Sequence, residues 1–470
     1  MELLNRKTVR QYYSDPLLGN LLGAVFGKYK GLNGVRGNAH IIVHSQSEAE
    51  RLQDYFGDRV KQLISVGTEI EVPLTIIAEE LKRGYELTIP DLYEVLYGTQ
   101  LLTKREQKEL KLFNWTNLFA KVEQDFINEF NITDSDLDKF IPMTFNWFQR
   151  LKTGEAKGYG VLRYAFDKGS NVYLDLYHCL SALWHLLMRK DQMFNERGIS
   201  TGKIRIPTFA AHVTGDSHAF DKRNTVVGRL LWYALYDIYS QRINHNGSDN
   251  DITVVPEYLF DRQIYRDFDI LDDDISSISH VFAPNLIRGT SPRTLNLREI
   301  EDMDEFPKYP SLYIIENPSI ISFLVDELIH ILNLNKLSIE QLPISFPVLL
   351  CTIGQSRTAS KVFIKRCLES NPNCSIYYSG DLDVPGIKML KGMEKQFFPA
   401  QFYAWRMDPL IYLKYVEPKS NILSEEDLKY LKASEGGLEK EMVDFGAKVY
   451  QELFGKELKE DWFQALPELI

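Results

Sequence analysis

From residue 311 onward, unbroken apolar runs alternate with stretches that are apolar only at every third or fourth position. SLYIIE, FPVLLCT, SIYYSG and AQFYAW read as strands, and PSIISFLVDELIHILN, SRTASKVFIKRCLES and DVPGIKMLKGMEKQF between them read as helices. Strands that are apolar throughout and alternate with helices of about a dozen residues predict a parallel sheet covered on both faces. Upstream the texture differs. A glycine-punctuated stretch, GKYKGLNGVRG, precedes a short strand at AHIIVH and a predicted helix over 47–64. Residues 72–200 carry mostly helical spacing, through LYEVLYGTQLL, LFAKVEQDFINEF and YLDLYHCLSALWHLLM.

Near residue 200 the composition shifts, with Gly, Pro, Asp and Asn clustered in STGKIRIPTFAAHVTGDSHAFDKRN. A helical stretch, VVGRLLWYALYDIYSQRI, and a polar break, NHNGSDND, follow. The divisions predicted are a mostly helical arm over 1–205, a central region over 206–300, an α/β domain over 301–430 and a helical tail over 431–470. The central region has room for a small helix-turn-helix or winged-helix unit, which periodicity alone does not establish.

The length, 470 residues, fits about three domains. With 44% apolar and 25% charged residues, the chain is ordinary globular protein. No run approaches the ~18 apolar residues of a membrane span, and no early segment has the form of a signal peptide. Cys179, Cys351, Cys367 and Cys374 form no C-x-x-C pair and no zinc spacing. A reduced, cytoplasmic protein is the expectation. Its 54 basic and 65 acidic side chains leave a net charge of −11. Bulk attraction to nucleic acid is therefore excluded, and any polyanion must be held by local basic surfaces or metal ions. Residues 5–36 are one such surface, with Arg6, Lys7, Arg10, Lys28, Lys30 and Arg36 against Asp15 alone.

In open parallel sheets, function gathers beyond the carboxyl ends of the strands. Glu316 follows SLYII, Gly354 follows FPVLLCT, and Gly380-Asp381-Leu382-Asp383 follows SIYYS. If the first and third of these strands are neighbours, three carboxylates converge. Such a group repels itself unless cations neutralise it, and oxygen-only ligands suit Mg²⁺ or Mn²⁺. No G-x-x-x-x-G-K-[ST] and no G-x-G-x-x-G opens any of these helices. A lone D-x-D is more often a helix cap than a ligand pair; the conjunction with a strand-terminal Glu is what argues for a metal. Arg357, Lys361 and Lys365 form one helical stripe, and Lys388, Lys391 and Lys395 another, giving a candidate phosphate-backbone surface. For any single lysine, an exposed helix face is the simpler account, and KREQKELK (104–111) is read that way. His212, Asp216, His218 and Asp221 read as a polar loop or a DNA-backbone contact rather than zinc ligands, Asp272 to Asp274 as a helix start, and Cys351 as packed core.

Glu316 with G-D-x-D at 380–383 resembles the Toprim domain, in which carboxylates hold Mg²⁺ at a phosphodiester. YIIENPSI, LLCTIGQSRTA, YYSGDLDVPGIKML and YAWRMDP, with HVTGDSHAFD, LDDDISS and TLNLREI upstream, are similar to a bacterial family with a conserved N-terminal region and a Toprim-like C-terminal region. That family is related to the topoisomerase VI A subunit and to the nuclease subunit of Wadjet anti-plasmid systems. The resemblance implies an α/β multidomain protein with a largely helical N-terminal region, a small central winged-helix-like domain and a C-terminal Toprim domain. It implies a metal-dependent endonuclease cutting double-stranded plasmid DNA as a homodimer. Its partners would be an SMC-like ATPase, a kleisin-like protein and a winged-helix subunit. Glu316, Asp381 and Asp383 match the metal carboxylates. Arg357, Lys361, Lys365, Lys388, Lys391 and Arg406 would bind DNA, and Asn317 and Gln355 lie in matching motifs. The topoisomerase VI relatives attack DNA with a tyrosine. Tyr233, Tyr236 and Tyr239 lack the expected Arg and paired aromatic context, so tyrosine attack and a non-catalytic scaffold stand as the alternatives.

Overall fold

The computed structural model describes residues 2–144, 146–222, 224–245, 257–343, 346–417, 420–434 and 436–464. Most of the polar break at NHNGSDND lies outside them. The chain forms two compact units, residues 1–142 with 148–181, and residues 143–147 with 182–470. The division thus falls before the composition shift near residue 200, which marks a turn inside the second unit.

In the first unit, strands β1 (Asn38–Ile42) and β2 (Glu69–Pro73) pair antiparallel and bury Ala39, Ile41, Ile70 and Val72 from alternate positions. The helix after β1 spans Gln46–Phe56, shorter than the 47–64 expected. Gly57 ends it at φ 52°, its amide turned back onto the Gln53 carbonyl, in a region glycine enters without strain. The long helix Lys104–Phe130 starts at a capping box between Thr103 and Glu106. Its KREQKELK turns are exposed throughout, as a solvated face should be.

The second unit opens with a short parallel pair, β3 (Ile204–Arg205) and β4 (Ile270–Leu271). Its main sheet has six strands: β5 (Ile278–Phe282), β6 (Arg293–Asn296), β7 (Ser311–Ile315), β8 (Val348–Cys351), β9 (Ser375–Ser379) and β10 (Phe402–Ala404). Their order is β10-β9-β7-β8-β5-β6. β10, β9, β7 and β8 run parallel, while β5 pairs antiparallel with both β8 and β6. All of β8 and residues 312–315 of β7 are buried, which explains their unbroken apolar runs. The helices Pro318–Leu334, Thr358–Ser370 and Val384–Phe397 follow β7, β8 and β9, as their spacing predicts. Among the described residues, no helix is long and apolar enough to cross a membrane.

Two segments join this sheet from outside the predicted α/β region. β5 and β6 come from 206–300. Ser279 Oγ donates to the Cys351 carbonyl at 2.8 Å, and Ser277 Oγ accepts from the Ala359 amide at 2.9 Å. From the tail, Val449 pairs with Leu382, and Phe454, Leu458 and Trp462 enter the same core as β7 and β9.

The acids at 272–274 do not start a helix; they lead into β5. Their partners are arginines from distant segments. Asp274 takes Arg205 at 2.6 Å and Arg298 at 2.9 Å, and Asp272 takes Arg262 and Arg266. Burial raises the Asp274 pKa, but the Arg298 and Arg205 hydrogen bonds outweigh it and lower the value to about 2. A folded pKa below the unfolded one stabilises the fold above about pH 4, an effect lost as pH falls toward 2. The arginines are partly exposed, so the effect is about 1–2 kcal/mol after solvent screening. Asp274→Asn should lower the free energy of urea unfolding at pH 7 by that amount, with the difference from wild type shrinking toward pH 2.5.

Candidate active site

β7 and β9 are adjacent and parallel, with Ser311 opposite Ser375 through Ile315 opposite Ser379. The ladder runs one rung further, for the Glu316 amide donates to the Ser379 carbonyl at 3.1 Å. Glu316 and the Gly380–Asp383 loop therefore leave the sheet side by side. Glycine permits the approach: a Cβ on Gly380 would lie 2.5 Å from Glu316 Oε2 and 2.9 Å from the Tyr378 hydroxyl. A Cβ on Gly386 would strike the Asp381 carbonyl oxygen, so the helix after Asp383 packs onto that loop only with glycine there.

Each carboxylate has one oxygen engaged by donors of the chain. Glu316 Oε2 accepts from the Asp381 amide at 3.3 Å. Asp381 Oδ1 accepts from Asn317 Nδ2 at 3.1 Å and from the Gln451 amide at 2.8 Å. Asp383 Oδ1 accepts from the Gly386 amide at 2.8 Å, capping the helix Val384–Phe397. The simpler reading of D-x-D as a helix cap is thus correct for Asp383, and capping leaves its second oxygen uncommitted.

Burial, reinforced by the charges of Asp381 and Asp383, raises the Glu316 pKa to about 7. Asp381 is raised by burial and by Asp383 and Glu452, against the Gln451 and Asn317 hydrogen bonds. Burial also raises Asp383, against the Gly386 amide and Lys448. Lys448 itself pairs with Asp427 at 3.9 Å. Hard oxygen donors that crowd and repel one another fit a divalent cation such as Mg²⁺ or Mn²⁺. The buried Tyr378 hydroxyl and Gln451 Nε2 also lack hydrogen-bond partners, leaving capacity for a hydrated ligand. Among the described residues, no three His, Cys, Asp or Glu side chains already form a metal-holding group. A shared cation would need the three side chains to stand closer together than they do here.

Residues 35–286 match the family model described as Protein of unknown function N-terminus (DUF3323), and residues 293–462 match Protein of unknown function C-terminus (DUF2399). The chain belongs to this two-part family. A comparison with curated proteins finds no match. The two matched regions meet inside the six-stranded sheet, with β5 in the first and β6 in the second.

The predicted basic residues divide into two sets. Lys361 and Lys388 line a cavity of about 490 Å³ that also exposes Glu316 and Gln355. Lys388 Nζ lies 4.4 Å from the centre of the Tyr430 ring. Away from the cavity, Lys365 pairs with Glu369 at 3.1 Å, Lys391 with Glu439 at 2.6 Å and Arg406 with Asp461 at 2.6 Å, and Arg357 donates to the Ser276 carbonyl at 3.1 Å. Lys365, Lys391 and Arg406 are thus held in ion pairs within this unit. Tyr236 stacks on Trp232 at 5.4 Å, and Tyr239 meets Phe260 edge-on, so both serve packing. His212 lies on the helix Ile206–Thr214, not in a loop; its Nδ1 accepts from Arg197 at 2.9 Å. Cys351 is buried core, as expected.

Sequence reasoning missed Gln451 and Glu452. Gln451 bridges both acidic loops, its amide donating to Asp381 and its Oε1 accepting from the Asn317 amide at 3.1 Å. Glu452 accepts from Ser319 Oγ at 3.0 Å and adds a fourth negative charge. No local signal marks either residue, since both act across more than 60 positions of chain.

A raised folded pKa for Glu316 makes its contribution to stability complete below about pH 4.3 and lost as pH rises through 7. Without divalent cations, Glu316→Gln should match wild type in thermal unfolding at pH 4. At pH 8 it should be more stable by about 2–3 kcal/mol; equal stabilities at pH 8 would remove the repulsion argument.

Proposed function

We propose that this chain is a metal-dependent DNA endonuclease, the cutting subunit of a Wadjet-type anti-plasmid complex. The observation that carries the reading is that Glu316 and the loop bearing Asp381 and Asp383 leave the carboxyl ends of two adjacent parallel strands side by side. The resemblance to Toprim enzymes supplies the reaction class. In this reading the C-terminal α/β region is a Toprim domain, and a winged-helix-like unit lies upstream of it. Glu316, Asp381 and Asp383 would hold Mg²⁺ or Mn²⁺, which when bound polarises a phosphate oxygen and lowers the pKa of a coordinated water.

The chain's own groups arrange the rest. Asp381 is fixed by two donors, which sets the direction of its second oxygen. Asp383 sits at the positive end of the helix Val384–Phe397, so its negative charge is steadied while it remains a ligand. Lys361 and Lys388 on the neighbouring cavity wall would counter phosphate charge. The packing of Tyr236 and Tyr239 against other aromatic rings favours water over tyrosine as the attacking group.

A net charge of −11 gives the chain little bulk attraction for DNA. That favours a protein to which partners deliver the substrate, in line with the SMC-like ATPase, kleisin-like and winged-helix subunits and the homodimer that the resemblance implies. The reading places the protein in the cytoplasm.

The test is cutting of supercoiled plasmid in Mn²⁺, by the full chain alone and with its partner subunits. Asp381→Asn and Glu316→Gln should each reduce nicking and linearisation by about 10²-fold or more, with far-ultraviolet circular dichroism unchanged. Cutting at the wild-type rate by both variants would refute the assignment.

A further inference from the structure

We infer that the cavity beside Glu316 receives one unpaired nucleotide of the strand being cut, so that DNA with a base out of its stack is the preferred substrate; this deepens, and rests on, the nuclease reading. The position comes first. One wall is the helix immediately after Asp383, which presents Pro385, Lys388, Met389, Gly392, Met393 and Gln396. These residues recur at intervals of three and one, a single helical face. The lining also takes in Gln355 and Ser356 from the turn after β8 and Lys361 on the next helix. Glu316 also contributes to the lining, so an occupant would lie next to the carboxylate group.

The composition of the lining argues for a base as well as a phosphate. A surface that only followed the DNA backbone needs basic and polar groups. Here Pro385, Met389 and Met393 make part of the lining apolar, and methionine is a polarisable partner for aromatic rings. Lys361 and Lys388 add positive charge suited to the attached phosphate. The volume, about 490 Å³, is in the range of roughly 300–1,000 Å³ typical of sites for small organic groups.

Gly392 keeps the cavity open. A Cβ built there meets nothing within 4 Å, so a larger side chain would enter free space without straining the helix. Extruding a base from paired DNA costs a few kcal/mol, least where the duplex is already mismatched or distorted. A site of this kind would therefore favour bent or unpaired DNA over relaxed duplex.

The experiment compares binding of the full chain, in Ca²⁺, to a duplex with one mismatched 2-aminopurine and to the fully paired duplex. The mismatched duplex should bind about tenfold more tightly, and the 2-aminopurine fluorescence should change as the base moves from the helix into the cavity. Gly392→Leu should abolish both the preference and the fluorescence change, with its melting temperature no lower than wild type, whereas Gly392→Ala should retain both. Equal affinity for the two duplexes in wild type, or a preference that Gly392→Leu retains, would overturn the inference. Cutting of the same duplexes in Mn²⁺ is scored separately. Cutting without a mismatch preference removes the cavity and leaves the nuclease, whereas a Gly392-dependent preference with no cutting, even with the partner subunits present, removes the nuclease and leaves a base-binding cavity.

Discussion

The hydrogen bond from the Glu316 amide to the Ser379 carbonyl extends the pairing of β7 and β9 one residue past the sheet, and the acidic site depends on it. Parallel pairing holds both chains in one register, so whatever follows the two strands must emerge together. Here each is followed by an acid, and the charges meet in a buried setting. The high pKa of Glu316 follows from this geometry. So does the need for glycine at 380, because a side chain there would occupy the space of the carboxylate.

Two remote segments complete the arrangement. β5 extends the sheet beyond β8 and, through Ser277 and Ser279, braces the start of the helix that carries Lys361. On the other side, the tail passes antiparallel to Leu382 and places Gln451 between the two acidic loops. A backbone amide thereby takes up part of the negative charge of Asp381 without adding a competing cation. Arginine and lysine are used elsewhere: Arg205, Arg262, Arg266 and Arg298 join 272–274 to its surroundings, and Arg406 and Lys391 secure the tail and its approach. At these places positive charge holds segments together, and Lys361 and Lys388 line the cavity beside the acids.

The alternation of apolar strands and amphipathic helices from residue 311 was legible because both faces of those strands are buried, which leaves an unbroken apolar signature. The positions of Glu316, Asp381 and Asp383 were legible because each lies at a strand end, and Asp383 also because a helix with proline and glycine in its first turn follows it. β5 was not. Its residues, ISHVF, mix polar and apolar positions, and its partner lies about 70 residues later. The acids before it looked like a helix start, since acids favour helix N-termini, yet their partners were arginines that proximity in sequence could not reveal. The basic stripes show the same limit: helical spacing placed the lysines on a face, but only their neighbours decided which were tied into ion pairs.

Local sequence therefore determined the secondary elements of the C-terminal region and the identity of its acidic residues, because periodicity and strand ends are encoded within a few positions. The tertiary structure alone decided the strand order that makes β7 and β9 neighbours, the entry of β5 and the tail, and the bridging by Gln451. Those features rest on hydrogen bonds and burial between segments tens of residues apart, whose energies depend on distance in space and leave no mark in the local pattern.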